Sequence, residues 1–338
     1  MNDNAARPPI VVGGPCFDEL SVGQVFDTAP TVTFTDGMAA VHQAILGIRL
    51  RLPLDGPLSR RVAGHGGTLV NPALVCDVAI GQSTIATHHV KANLFYRGLR
   101  FRSLPRIGDS LTTVTTVTGL RENSPKPGRR STGMAALHVR STDQRGRTVL
   151  DFHRCAMLPI GDSADDGRVR HNDNLEPNPS GGTQDFDSII DGLALPTFRA
   201  SANGPHFSQD LAGVSFACSA DVVSSAPELA RLSLNIAATH HDQRSGTSGR
   251  LVYGGHTIGL ALAQATRALP NLVTVLGWES CDHLAPVREN DTLTSTLLVE
   301  RAEPLSEGGI VHLRSIVHSV GAGESTDVLD WRFSALMA

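Results

Sequence analysis

The feature that most constrains this chain is that it states one plan twice. FDELSVGQVF (17–26) matches FSQDLAGVSF (207–216) through its phenylalanines and glycine. AGHGGTLVNPALV (63–75) matches LVYGGHTIGLALA (251–263) through a double glycine ahead of an apolar run. SLPRIGDSLT (103–112) then matches LAPVRENDTLT (284–294), and TVLDFHRCAML (148–158) matches DVLDWRFSALM (327–337). Matches that are weak singly but keep one order define an internal repeat. They place domains at 1–160 and 201–338, joined by a linker over 161–200 that is rich in turn-forming residues and poor in apolar periodicity.

Within each copy the elements follow in the same order. GTLVNPALVCDVAIG (67–81) and GHTIGLALAQATRAL (255–269) are apolar on nearly all sides, which marks a helix wrapped by sheet. Pro72 falls near the start of the first, where a missing N–H is tolerated. β-Branched, partly alternating stretches come next: DSLTTVTTVTGL, MAALHVRSTD and RTVLDFHRCAML in the first copy, and DTLTSTLLVERAE, IVHLRSIVHSV and DVLDWRFSALM in the second. The expected class is α+β, a long central helix wrapped by a curled antiparallel β-sheet, made twice in one chain: the tandem, or double, hotdog plan.

With 338 residues, 41% hydrophobic and 18% charged, the chain can bury one large or two moderate cores. Its formal net charge of −4 gives nucleic acid and anionic membranes no global attraction. No stretch approaches the ~20 apolar residues of a membrane span, and MNDNAARPPIVVGG lacks a basic start followed by an apolar run, so a cytoplasmic protein is expected. The cysteines are odd in number and contain no CxxC, which argues against a disulfide or zinc framework.

The chemistry concentrates in NIAATHHDQRSGTSGRLVYGG (235–255). Asn235 and His240 would lie roughly 140° apart on a continuous helix, so they can face one substrate only if the chain leaves the helix between them. Gly254 and Gly255 open a helix whose first N–H groups lack intrahelical acceptors, a setting suited to an anionic oxygen. An acid–base histidine beside such a helix start fits chemistry α to a thioester carbonyl. Taken alone, His240 reads most simply as a solvated loop histidine; Asn235, the glycine pair and the repeat tip the balance toward catalysis. His241 reads as structural. A metal among His240, His241, Asp242 and His256 is disfavoured, because sequence neighbours without helical spacing seldom share one. In YRGLRFRSLPR (96–106), Arg97 and Arg100 are candidates for a phosphate or carboxylate of the substrate, against the plainer reading of solvated strand residues. His65 before Gly66 and Gly67 mirrors Tyr253 before Gly254 and Gly255 and would mark a degenerate helix start, although it reads more simply as a satisfied polar residue near the interface of the copies; His88 and His89 read as surface residues.

The segment from Asn235 to Gly255 resembles the signature of the MaoC-like (R)-specific enoyl-CoA hydratases of double-hotdog form, and RLVYGGHTIGLA resembles the branch containing mesaconyl-CoA hydratase. The resemblance implies that Asn235 falls on the catalytic Asp, His240 on the catalytic His, Asp242 on the following acid and Gly255 on the oxyanion glycine, with Asp242, Tyr253 and Gly254 at the substrate. It also implies an acyl-CoA thioester substrate, with a branched or dicarboxylic acyl group suggested by the mesaconyl-like stretch. No cofactor is implied, coenzyme A entering as part of the substrate. A monomeric pseudo-dimer or a homodimer is expected. Asn235 in place of Asp and Ala237 in place of Asn depart from the family pattern and put a two-base mechanism in doubt. The first copy has no Asn-x4-His pair, so one active site per chain is expected. The competing readings are an acyl-CoA thioesterase, against which Gln264 counts as a non-acidic residue on the helix, and a silent acyl-CoA-binding hotdog protein.

Overall fold

A computed structural model describes residues 12–161, 170–177, 186–245, 249–320 and 325–338. The amino-terminal MNDNAARPPIV, the linker stretches 162–169 and 178–185, and residues 246–248 and 321–324 lie outside the described residues.

Long strands carry the architecture. In the first repeat they are β1 (Ala92–Phe101), β2 (Ser110–Glu122), β3 (Thr132–Asp143) and β4 (Thr148–Pro159). In the second they are β5 (Leu272–His283), β6 (Thr292–Pro304), β7 (Gly309–Val320) and β8 (Ser325–Met337). They form one continuous antiparallel sheet in the order β2-β3-β4-β1-β5-β8-β7-β6, a sequence that reads the same from either end in terms of the repeat. Short strands extend the two outer edges, Val25–Phe26 and Val32–Thr33 on β2, and Ser215–Ala217 and Asp221–Val222 on β6. This is the double hotdog fold.

The junction is the pairing of β1 with β5, from Phe95 opposite Asp282 to Arg100 opposite Gly277. A Cβ on Gly277 would sit 2.5 Å from the Leu99 carbonyl oxygen, so only glycine lets the two repeats approach this closely. Neither strand stands out in the sequence. β1 carries two arginines, and β5 begins as a buried, largely apolar run that lacks alternation.

Each repeat wraps a buried helix, Pro72–Gln82 in the first and Gly254–Ala268 in the second. Matching polar contacts fix the repeat's register. Gln82 donates to the Leu111 carbonyl and accepts from Thr113, while Gln264 donates to the Leu293 carbonyl and accepts from Ser295. The Arg106 N–H donates to Asp109 and its guanidinium to the Gly67 carbonyl, just as the Arg288 N–H donates to Asp291 and its guanidinium to the Gly249 carbonyl. Phe17 covers Gly133, and Phe207 covers Gly309.

This register corrects the double-glycine match. Gly67 answers to Gly249, and Asn71 answers to Tyr253, so the glycine pairs of the two halves do different work. His65 lies exposed in a loop well ahead of the first helix, and is not that helix's start.

The expected linker is also only partly loop. Helices Asp187–Ile190 and Leu195–Ser201 bury Ile189, Leu195 and Phe198 against the first repeat, and the Ala194 N–H donates to the Val62 carbonyl at 2.8 Å. Their apolar residues are too few and too closely broken by turns to produce a helical period.

Candidate active site

The helix Ala226–Leu232 ends abruptly because Leu234 takes a left-handed conformation, φ 59°. The Leu234 N–H bonds the Arg231 carbonyl and the Asn235 N–H reaches back to the Ala230 carbonyl, closing the helix end. A bulky residue holds such a φ at a cost of roughly 1–3 kcal/mol, a strain characteristic of functional turns. The chain therefore leaves the helix before Asn235, earlier than the sequence suggests.

The next residues dock on the other repeat. A Cβ at Gly81, on the first central helix, would lie 1.8 Å from the Ser233 carbonyl oxygen, so the turn into Asn235 sits directly against that helix. The Ile236 N–H donates to Thr84 Oγ1 at 3.0 Å and the Ala238 N–H to the His88 carbonyl at 2.9 Å. His88 thus anchors the loop through its backbone. His241 Nε2 donates to the Asn235 carbonyl at 2.5 Å, which gives this second histidine a structural task.

Asn235 is buried, and its Oδ1 accepts from the Ala237 N–H at 3.0 Å. Its amide NH2 has no protein acceptor among the described residues and is left to donate. His240 follows in a short 3-10 turn, Ala238–His240. Its Nδ1 lies 2.9 Å from the Leu251 carbonyl oxygen. A carbonyl can only accept, so Nδ1 carries the proton and Nε2 holds the free lone pair. Burial pushes the His240 pKa down to about 4, against a smaller upward pull from that same hydrogen bond. The ring is neutral at pH 7 and able to take a proton.

The second central helix begins beside this ring, with the His240 and Tyr253 ring centroids 5.7 Å apart. Tyr253 occupies the cap position and its side chain makes no capping bond. The Gly254 and Gly255 N–H groups find no acceptor among the described residues, so the positive helix end is left open.

Asn235, His240, Tyr253 and Gly254 line one cavity of about 400 Å³, together with Tyr96 and Arg154 of the first repeat. The remaining sequence candidates fall elsewhere. Gly255 packs against Asp77 and the Tyr253 ring, allowing the two central helices to approach. Asp242 points outward and pairs with Arg244 at 2.9 Å, which holds its carboxyl at about 2. Arg97 lies over the Phe95 ring and bonds Asp282 at 2.7 Å, a strand residue tied to its neighbours. Arg100, opposite Gly277 at the junction, is not part of the lining. Asp77, a carboxylate close to the start of the second helix, is buried and bonded to His42 at 3.2 Å, outside the cavity.

Sequence reasoning misses two lining residues. His283, at the end of β5, packs on Gly254, where a Cβ would meet its ring at 2.6 Å; its Nε2 is enclosed without a partner and burial lowers its pKa to about 4. Arg154 reaches the cavity from β4. Each has an aromatic counterpart in the other repeat, Phe101 for His283 and Phe333 for Arg154, a signal visible only once the register is known. A wider cleft of about 910 Å³, lined by Arg102, Arg106 and Arg147 among others, lies on the first repeat; it holds no histidine and no open helix start.

No protein-family model matches the chain. Among solved structures it is similar to RV0216, a conserved hypothetical protein from Mycobacterium tuberculosis with a double hotdog fold, at 56% identity and a TM-score of 0.90, covering 97% of this chain and 100% of that one. Among curated proteins it is similar to β-methylmalyl-CoA dehydratase from Chloroflexus aurantiacus, 28% identical across 90% of this chain and 88% of the relative. It is also similar to mesaconyl-CoA hydratase from Cereibacter sphaeroides, 27% identical across 91% and 90%. Similarity over the full length, the continuous double-hotdog sheet and the histidine beside an open helix start lead to one conclusion: the chain belongs to the MaoC-like dehydratase family in its double-hotdog form.

Proposed function

We propose that the protein is a hydro-lyase that adds water reversibly across the α,β double bond of an enoyl-CoA thioester, with the (R)-specificity that the family resemblance implies. One observation carries this reading: the Leu251 carbonyl fixes His240 as the Nδ1–H tautomer, leaving Nε2 as a base beside an uncapped helix start. The names of the two curated relatives, a dehydratase and a hydratase of CoA thioesters, support the same class.

In hydration, His240 Nε2 takes a proton from water as the water oxygen bonds to the β-carbon. The electron pair of the double bond moves toward the thioester carbonyl, whose oxygen becomes anionic and meets the open N–H group of Gly254, the helix-start residue that lines the cavity. The imidazolium then returns a proton to the α-carbon and the carbonyl re-forms. Asn235 cannot accept a proton; its free amide NH2 donates to the water oxygen and orients it. The developing enolate next to the ring favours the protonated intermediate that burial alone opposes.

The test follows the conjugated enoyl absorbance and free thiol together, using purified protein with straight, branched and carboxylated trans-enoyl thioesters. Loss of the conjugated band without thiol release supports the hydro-lyase. Thiol release would replace it with a thioesterase, and binding without either signal would make this a carrier of acyl thioesters.

A further inference from the structure

We infer that Arg154 is a specificity-determining residue of this cavity and receives a carboxylate borne by the acyl group of the substrate. The inference rests on the reading above and concerns the chemical class of acyl group.

Arg154 is 3% exposed and projects from the inner face of β4. Its guanidinium donates to the Thr87 hydroxyl at 2.7 Å, to the Ser83 carbonyl at 3.1 Å and to Asn93 Oδ1 at 3.4 Å, all of them neutral acceptors. Its Nε has no partner, and no carboxylate pairs with it among the described residues. A buried guanidinium without a counter-ion is an unusual thing for a fold to keep, since desolvation of a charge is offset only by an opposite charge or a full set of hydrogen bonds.

The repeat shows that the fold does not require it. Arg154 stands opposite Tyr96 in the sheet; the corresponding pair in the second repeat is Phe333 opposite Trp278. An aromatic ring satisfies that position there, stacked on Trp331 at 3.8 Å. The charge occurs only in the repeat that turns this position toward the cavity.

The remaining lining selects the sign and source of the ligand. It includes Lys91 and Arg288 and no Asp or Glu, so nothing within the cavity neutralises Arg154. Coenzyme A phosphates need solvated partners such as the exposed Lys91, whereas a residue as enclosed as Arg154 suits a small planar anion that enters with the acyl group. A carboxylate presents two oxygens to such a donor.

The experiment is equilibrium binding of two saturated four-carbon thioesters of coenzyme A, succinyl and butyryl, to the full chain and to Arg154→Met, Arg154→Gln and Arg154→Lys, with each variant's fold checked by circular dichroism and thermal melting. Neither ligand has a double bond, so the result is independent of hydration. The wild-type protein is expected to prefer the carboxylate-ended ligand by roughly a hundredfold, the preference collapsing in Arg154→Met and Arg154→Gln and partly surviving in Arg154→Lys. A wild-type protein that binds both alike, or an Arg154→Met or Arg154→Gln variant that keeps the preference, would overturn the inference. If Arg154→Met fails to fold, Arg154→Gln and the wild-type ratio still decide. Carboxylate selectivity in a protein that hydrates nothing would defeat the proposed reaction and leave Arg154 standing, and hydration blind to the carboxylate would do the reverse.

Discussion

The two central helices begin in opposite ways. At the first, Asn71 caps its own helix by accepting the Ala73 N–H at 3.0 Å, with Pro72 filling the next position. At the second, Tyr253 makes no capping bond and two glycines follow. Capping is worth about 1 kcal/mol to a helix. The first repeat therefore takes the stability, while the second leaves its first N–H groups uncapped and sets His240 beside them, the arrangement on which the proposed reaction draws. The lesson is that a duplicated fold can let one copy close its helix end for stability while the other keeps that end unsatisfied.

The largest expected effect comes from removing the group that the first repeat lacks. His240→Ala should lower kcat by roughly 10²–10⁴-fold at an unchanged melting temperature, whereas His65→Ala, in the exposed loop of the other copy, should leave kcat within about twofold of wild type. Equal losses would break the comparison.

Giving the second helix the cap of the first is the sharper test. Tyr253→Asn should cut kcat by about a hundredfold or more as its side chain occupies the helix N–H groups, with Tyr253→Phe as the control for lost packing. The converse, Asn71→Ala, should cost about 1 kcal/mol in urea denaturation with kcat unchanged. If Tyr253→Asn were as active as Tyr253→Phe, the open helix end would have no catalytic part.

Gly81→Ala probes the dependence of one repeat on the other. Its methyl would collide with the Ser233 carbonyl oxygen, 1.8 Å from the ideal Cβ, and push the Asn235–His240 loop off the first helix. A loss of about 1–3 kcal/mol in stability is expected, with kcat falling further than the lost folded fraction explains. Comparison of kcat per folded molecule checks this.

Acid should act mainly on the second repeat. Burial lowers His240, His256 and His283 to about 4 each, while in the unfolded chain a histidine titrates near about 6.5. Between these values the unfolded state binds more protons, so stability is full above about pH 6.5 and declines as pH falls toward 4. His283→Phe, which restores the residue found at Phe101, should flatten part of that decline in melts across pH. The acid limb of kcat/KM should report His240 at about 4, and an acid limb near the ordinary histidine value would place the catalytic base in a wetter site.

Much of the fold could be read from sequence because its signals are local and periodic. The two central helices and six of the outer strands are apolar or alternating over their whole lengths, and three of the four repeat matches lie in true register. β1 and β5 escape because their stability comes from each other. Arg97 and Arg100 face neighbouring strands in β1, and Gly277 matters only because Leu99 lies against it. Asn235, His240 and Gly254 could be picked out as a motif. Asp242, Arg97 and Arg100 were equally plausible by residue type, yet their ion pairs and strand positions direct them away from the cavity.

By itself the sequence determined that one helix-in-sheet plan is made twice, that only the second copy carries an Asn-x4-His pair, and that a helix opening on glycines follows it. These are properties of short segments and of residue type. The tertiary structure alone decided that Gly254 rather than Gly255 borders the cavity, that the loop bearing His240 rests on Gly81 of the other repeat, and that His283 and Arg154 converge there from different strands. The reason is that a binding site is made where distant segments meet, and the desolvation that tunes its histidines and encloses Arg154 exists only after they have packed.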